Sequence, residues 1–183
     1  MEFILPAIVV VLILWLISTY NGLIKLRLLC KNAWSDIDVQ LKKRHDLIPN
    51  LVNIVKGYAA HEQETLEDVI KARNSAVSCK DSDLKGKVQA ENLLTGMIPK
   101  IFALAESYPD LKANQNFLEL QSSLSEIEND LSQARRYYNA VVRDFNTKQE
   151  IFPSNIVANF FKFEQNPFFE SAEKEKEVPK VAF

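Results

Sequence analysis

The sequence predicts an all-α protein, with an N-terminal transmembrane helix that continues into an antiparallel, up-and-down four-helix bundle with long helices. Three observations predict this class. The chain opens on a long uncharged apolar run, it contains only four glycines among 183 residues, and its apolar side chains recur at steps of three and four. Few glycines and a period near 3.6 favour long helices over sheets.

Composition narrows the classes of function. A formal net charge of −2 argues against a nucleic-acid partner, because a dedicated nucleic-acid binder normally carries a basic face or a basic total. The two cysteines, Cys30 and Cys79, are too few for a disulfide framework and favour reduced thiols in a cytosolic setting. An apolar fraction of 47% leaves room for one domain with its own core.

Residues 3–24 form the predicted membrane anchor, which would contact the lipid bilayer. They contain no charged side chain, and 22 residues at about 1.5 Å each span the roughly 30 Å hydrocarbon layer. A cleaved signal peptide is the alternative. It requires a positive amino-terminal region and a small-x-small cleavage site, which Glu2 and the following Ser-Thr-Tyr-Asn do not provide.

The charges after the anchor predict its orientation. Lys25, Arg27 and Lys31 follow the span directly, whereas no basic residue precedes it. By the positive-inside rule, we expect a single-pass protein with its N-terminus outside and the rest of the chain in the cytoplasm.

The apolar stripe continues past the membrane, so the first helix should run to about Arg44. Asp46 then offers an N-cap, and Pro49 suits the first turn of a new helix because its missing N–H needs no acceptor there. We therefore predict a corner at this point and a second helix over 49–78. The corner is dense in ionisable groups, and its candidate contacts for an unknown protein partner are Arg44, His45 and Asp46.

A third helical pattern follows the break at residues 79–83. Asp81, Ser82 and Asp83 are alternative caps for it. An interior proline removes a backbone hydrogen bond and clashes with the preceding turn, so Gly96 and Pro99 should kink this helix or divide it in two.

The fourth helix has the most regular pattern. After a loop over 108–114, Asn114 or Asn116 can cap it. Apolar residues then alternate at steps of three and four from Phe117 to Phe145, a seam typical of coiled coils. The helix should be about 50 Å long if it reaches Ile151, and a short helix over 156–161 should follow.

These elements give three segments: a membrane anchor at 1–24, a cytoplasmic bundle at 25–160 and a Phe-rich, charged tail at 161–183. The last part of the tail should be extended unless it docks. The phenylalanines either pack on the bundle, which we favour, or touch the membrane surface. The candidate surface contacts are Phe160, Phe161, Phe163, Phe168 and Phe169.

Polar side chains on or beside the apolar stripes predict a buried polar network. A charge that faces a core is costly unless it is paired. We expect Glu62 to pair with Arg73 or Arg135, or aspartates of the first helix to pair with an arginine of the fourth. Such a network either fixes helix register, which we favour, or forms a ligand site. Its candidate members are Asp36, Asp38, Glu62, Arg73, Arg135, Asn139 and Asn146.

The sequence contains no catalytic or cofactor motif. His61-Glu62-Gln-Glu-Thr65 imitates the start of a His-Glu-x-x-His zinc motif, but Thr65 replaces the second histidine. No nucleophile elbow and no glycine-rich phosphate loop occur. We therefore expect no catalytic residue, no metal and no cofactor.

Several segments resemble the LemA family of bacterial membrane-anchored proteins, in the same order over nearly the whole chain. They are Tyr20–Arg27, Ala33–Leu51, Val55–Glu62, Tyr108–Asn114, Ala134–Asn139 and Asn146–Ala158. The resemblance implies a membrane anchor with a cytoplasmic helical bundle in the bacterial inner membrane, and no established catalytic activity.

We therefore expect a membrane-anchored, non-enzymatic scaffold or protein-interaction module that can form a homo-oligomer. The alternatives are a small-ligand or peptide binder that uses the polar network, less plausibly an enzyme, and membrane-surface remodelling through the aromatic tail.

Overall fold

The computed structural model describes residues 3–59, 61–80 and 83–169, and within these ranges the chain contains helices and irregular segments but no strand. The all-α prediction is confirmed. The helices are α1 (Ile4–Tyr58), α2 (Gln63–Ser78), α3 (Leu84–Glu106), α4 (Pro109–Lys112), α5 (Gln115–Glu150) and α6 (Ser154–Phe160).

The predicted corner at Arg44–Asn50 is wrong, because α1 continues through Pro49 to Tyr58. A proline inside a helix leaves the carbonyl four residues earlier without its usual donor. Here that carbonyl belongs to His45, and the Nε of Arg73 donates to it at 3.1 Å. A hydrogen bond from another helix thus replaces the one that Pro49 removes, and Asp46 caps nothing in mid-helix. The chain breaks later, and α2 begins at Gln63.

Helices α2 and α3 pack against each other and follow one another closely in the sequence, and we call the pair the α2–α3 hairpin. The cap of α3 is Asp83, whose Oδ1 accepts a hydrogen bond from the Gly86 N–H at 2.9 Å. The alternative caps, residues 81 and 82, lie outside the described residues. Of the two predicted outcomes at Gly96 and Pro99, the division of α3 is wrong, because the helix runs unbroken through Pro99, and the kink stays a prediction. Pro99 is exposed, while Ile98 and Ile101 beside it are buried, so packing on both sides holds one helix together.

The start and length of α5 match the prediction. The Oδ1 of Asn114 accepts from the Phe117 N–H at 3.0 Å and caps the helix. The preceding loop contains one helical turn, α4, whose Leu111 is fully buried. Helix α5 has 36 residues, about 54 Å at 1.5 Å each. Most of its predicted seam is buried, namely Phe117, Leu124, Ile127, Leu131, Tyr138, Val141 and Phe145.

A tight corner joins α5 to α6. The Ser154 hydroxyl donates to the carbonyl of Lys148 at 2.7 Å and to that of Ile151 at 3.0 Å. The short helix confirms the one predicted over 156–161, although it begins two residues earlier. After the helix, Lys162 adopts the left-handed region at φ 54°. The Phe163 N–H donates to the Ala158 carbonyl at 3.0 Å, which terminates the helix.

The tail that follows is held along α5. The Asn146 side chain donates to the Asn166 carbonyl at 2.9 Å and accepts from the Asn166 N–H at 3.0 Å. The Tyr138 hydroxyl donates to the Pro167 carbonyl at 2.9 Å. The first part of the tail is therefore docked, as we favoured. Residues 170–183, on which the extended-tail prediction falls, lie outside the described part of the chain.

The chain divides into two compact units. The first consists of residues up to Ile37 together with Ala134–Phe168, and the second contains Asp38–Gln133 and the chain from Phe169 onward. Helices α1 and α5 contribute residues to both. The core of the second unit is formed by α1, α2, α3 and the start of α5, and its fully buried side chains include Ile48, Leu51, Val55, Leu94 and Ile101.

Candidate functional site

The most polar part of the second unit's interior is centred on Arg44, whose side chain is fully buried. Its Nη1 donates to the Thr95 hydroxyl and to Glu128 Oε1, each at 2.9 Å, and its Nη2 donates to Glu91 Oε2. One guanidinium thus joins α1 to α3 and α5. We call Arg44, His45, Glu91, Thr95 and Glu128 the Arg44 network.

Glu91 is the buried anion of this network, with a side chain that is 0% exposed. The Nε2 of His45 lies 2.9 Å from Glu91 Oε1, although the imidazole N–H is poorly aligned with that oxygen. Burial raises the pKa of the Glu91 carboxyl, but the contact with His45 and the charge of Arg44 outweigh it and hold that pKa below its ordinary value. Glu91 is therefore ionised at neutral pH.

Two further contacts surround the network. Lys87, one turn before Glu91, is buried and its Nζ lies 2.5 Å from Asp38 Oδ1. Arg73 donates to the His45 carbonyl. The network therefore has ionic or hydrogen-bonded neighbours on α1, α2 and α3.

The predicted network is corrected in its membership. Asp38 and Arg73 do belong to this region. The expected pairing of Glu62 with an arginine is wrong, because Glu62 is exposed and Arg73 bonds the His45 carbonyl and Asn74. Asp36 is also exposed, and Asp38 pairs with a lysine of α3 instead of an arginine of the fourth helix. The remaining candidates, Arg135, Asn139 and Asn146, belong to the first unit.

The predicted interaction residues also need correction. Arg44 and His45 are buried and point into the second unit, and only Asp46 is exposed. They were expected at an exposed corner, whereas they lie in mid-helix on the buried face of α1. Arg44 and His45 therefore offer no surface to a partner.

The burial of the Arg44 network limits the chemistry that it can perform. Arg44 and Glu91 are 0% exposed and His45 is 9% exposed, while Thr95 and Glu128 are partly exposed at the edge of the network, Glu128 by 29% of its side chain. Within the described ranges, no three His, Cys, Asp or Glu side chains come together as metal ligands. The arrangement pairs charges and connects helices, and it presents no open position to a substrate.

An open surface does occur between the end of α1 and the start of α2. This α1–α2 groove has a volume of about 450 Å³, within the range of small-ligand sites. Val52, Leu66 and Ile70 supply its apolar part. Its charged rim consists of Lys56, Glu67 and Lys71.

The aromatic residues of the tail separate into two groups. The Phe163 ring contacts Tyr20 and Phe145, with centroids 5.9 and 6.3 Å away, and Phe161 lies 4.6 Å from Tyr20. Phe169 is buried, while Phe160, Phe161 and Phe168 are exposed. The inward-facing members of the predicted membrane contact are thus Phe163 and Phe169.

Buried neutral groups accompany this packing in the first unit. Trp34 and Tyr138 contact edge to face at 5.4 Å. Burial raises the pKa of the Cys30 thiol. Burial, with a smaller contribution from Cys30, raises the pKa of Tyr138 to about 12. Both groups are therefore neutral at physiological pH and serve as packing, as expected for Cys30.

Comparison with known proteins assigns the chain to a family. The model of the LemA family matches residues 33–183, which is most of the chain. The chain belongs to the LemA family. It is 28% identical to "Protein LemA" of Metamycoplasma hominis over 146 residues, which cover 80% of this chain and 66% of that relative.

Two magnetosome proteins are also similar to this LemA-family chain. MamQ 1 and MamQ 2 of Paramagnetospirillum magneticum are each 22% identical to it, over 88% of this chain and 68% of the relative. The chain thus spans about two thirds of the length of the relatives that it matches.

Four residues of the site in this LemA-family chain were missed: Lys87, Glu91, Thr95 and Glu128. A signal for two of them was present. Lys87 and Glu91 precede Leu94 and Ile98 at steps of four, three and four, so both occupy the apolar stripe of α3. Polar residues in such positions predict buried pairing. Nothing comparable distinguishes Glu128 from the many other acidic residues of α5.

Proposed function

We propose that this LemA-family chain is a single-pass membrane protein whose helical region binds other proteins, and that it is not an enzyme. The observation that carries this proposal is the combination of a bare apolar helix with a closed ionisable interior. Arg44 and Glu91 are fully buried, so a substrate has no access to the most reactive-looking groups. We therefore place its contacts with other proteins on the exposed surfaces of its helices.

The anchor is supported by the exposure of the first part of α1. Its apolar side chains from Phe3 to Ile17 are almost all exposed, and α1 is the one helix in the described ranges that is long and apolar enough to cross a membrane. Exposure of such an apolar surface to water is unfavourable, whereas the hydrocarbon layer of a bilayer accommodates it. Lys25, Arg27 and Lys31 favour a cytoplasmic location for everything after the span.

The helical region is proposed to form an antiparallel, up-and-down four-helix bundle. The α2–α3 hairpin and the short connections between successive helices support this arrangement. Hydrogen bonds of Arg44 to residues of α3 and α5 would then fix the register of those helices. This is the structural role that we favour for a buried polar network.

The α1–α2 groove is the surface we assign to a protein partner. It combines apolar side chains with a rim of two lysines and one glutamate. Lys71 pairs with Glu67 and Asp68 on α2, so the groove suits an apolar segment with an acidic residue placed near Lys56. To test this, the full-length chain would be cross-linked in its native membrane, extracted in mild detergent and analysed by mass spectrometry and size measurement.

The decisive comparison uses charge-reversed lysines. We expect the Lys56→Glu/Lys71→Glu variant to lose at least one cross-linked partner. The Lys43→Glu/Lys100→Glu variant, altered at exposed lysines of the same unit that do not line the groove, should retain it. A chain that migrates as a lone monomer and cross-links to nothing would contradict the proposal.

A second candidate function is binding of a small amphipathic ligand, favoured by the volume of the same groove. Native mass spectrometry of the purified full-length chain separates the two. A bound mass of a few hundred daltons that disappears in the Lys56→Glu/Lys71→Glu variant would favour the small ligand.

A further inference from the structure

The bare part of the anchor is shorter than the bilayer. The uncharged run begins after Glu2, and the first buried positions of α1 are Thr19 and Leu23. The bare stretch is therefore residues 3–18, which at about 1.5 Å per residue covers about 24 Å of a hydrocarbon layer of roughly 30 Å. A short span is accommodated by local thinning of the bilayer, by snorkelling of flanking side chains, or by apolar surface packed beside the helix.

The corner between α5 and α6 lies at this level of α1, within the first unit. A Cβ placed on Gly22 would lie 2.6 Å from the Nζ of Lys148, so Lys148 sits beside Gly22. Phe161, directly after α6, contacts Tyr20. Both contacts fall within the uncharged run of residues 3–24, so the corner reaches the part of α1 that was assigned to the membrane.

Exposed apolar side chains are concentrated at this corner and on α6. Four of them are each between 53% and 79% exposed, and we call them the apolar collar: Ile151, Phe152, Ile156 and Phe160. A patch of this kind on a protein surface marks an interaction with an apolar phase or partner. We assign the collar to an apolar phase, the bilayer, because it lies beside the part of α1 that was assigned to the membrane.

Charges around the collar fit a phospholipid surface. Lys25 and Arg27 follow the anchor, and Lys148 and Lys162 flank the corner. Arg27 also lies over the Phe163 ring at 5.4 Å. The acidic residues here are Glu150, which accepts from Gln165 at 2.7 Å, and Glu164. Basic side chains beside exposed phenylalanines are typical of segments that lie in the headgroup region.

We propose that the apolar collar inserts into the headgroup and outer acyl region of the bilayer, beside the exit of α1. The collar then supplies the apolar thickness that residues 3–18 lack and fixes the first unit against the membrane. Of the tail residues expected at the membrane, Phe160 takes part, whereas Phe163 packs inward. The proposal rests on the membrane anchor of the proposed function.

Depth-dependent fluorescence quenching tests the proposal on the full-length chain. It would be reconstituted in vesicles of phosphatidylcholine and phosphatidylglycerol with lipids brominated along their acyl chains. In a Trp15→Phe/Trp34→Phe background, Phe152→Trp and Phe160→Trp report on the collar. The matched control is Tyr137→Trp, an exposed aromatic position of α5 about 20 Å before the end of that helix.

We expect brominated lipids to remove roughly half or more of the emission of the two collar variants, since interfacial side chains reach about 5–10 Å into the headgroup and acyl boundary. The Tyr137→Trp emission should not change. A separate Trp34→Phe variant keeps Trp15 as a reporter of the anchor. Quenching of Trp15 without quenching of either collar variant would overturn the collar alone. No quenching of Trp15 would overturn the anchor and the proposed function with it.

Discussion

At the scale of single residues, Arg44 is the side chain on which the interior of the second unit depends. Burying a guanidinium and a carboxylate removes both from water, and their attraction offsets that cost only when the geometry is good and further hydrogen bonds are made. The two terminal nitrogens of Arg44 bond Glu91, Glu128 and Thr95 together, although its Nε has no acceptor among the described residues. The consequence is asymmetric, because loss of one partner leaves the other buried and unpaired.

We therefore expect Arg44→Ala to lower the free energy of unfolding by about 3–5 kcal/mol, since it leaves the Glu91 carboxylate buried without its guanidinium. The double variant Arg44→Met/Glu91→Leu should recover most of this loss, because neither charge remains. Urea unfolding of the full-length chain in detergent, followed by circular dichroism, measures both.

The control for this prediction is Lys43→Ala, which removes an exposed neighbour and should change stability by less than about 0.5 kcal/mol. If the double variant were as unstable as Arg44→Ala, packing around Arg44 and not charge pairing would account for the loss.

At the scale of elements, the local signals in the sequence were reliable and the non-local ones were not visible. The caps at Asp83 and Asn114 depend on the next three residues, so the sequence contains all that decides them. The end of α1, in contrast, is not decided by residues that are near it in the sequence. Pro49 followed by a helical pattern is typical of a helix start, and only a donor on α2 allows the helix to continue through it.

The Pro49–Arg73 relationship gives a prediction about coupling between two helices. Arg73→Ala should destabilise the chain because the His45 carbonyl loses its donor. In a Pro49→Ala background, the new N–H at position 49 can donate to that carbonyl within the helix. Arg73→Ala should therefore cost about 1 kcal/mol less in that background than in the wild type, the usual net value of one hydrogen bond.

The four unfolding free energies of this double-mutant cycle, measured in urea, give the coupling directly. Asn74→Ala, which alters the other hydrogen-bond partner of Arg73, serves as a control that should cost the same in both backgrounds. Equal costs of Arg73→Ala with and without Pro49 would show that the carbonyl needs no replacement donor.

At the scale of the whole molecule, the class of fold was predictable while the composition of the site was only partly so. The apolar run and the helical periodicity determine an all-α chain with a long apolar N-terminal helix. Arg44 itself falls on the stripe between Leu41 and Ile48, so its burial could have been predicted. Its partners could not, because they lie 47 and 84 residues away in the sequence and periodicity does not identify contacts between helices.

The proposed orientation of the chain across the membrane can be measured with its two cysteines. Cys79 follows α2 and is partly exposed, whereas Cys30 is buried. In a Cys30→Ala background, a membrane-impermeant maleimide should label Cys79 in inverted inner-membrane vesicles and not in intact spheroplasts, because the basic residues after the anchor favour the cytoplasm. Phe3→Cys in a Cys30→Ala/Cys79→Ala background, at the other end of the anchor, should show the opposite pattern. Labelling of Cys79 from outside would reverse the proposed topology while leaving the helical fold unaffected.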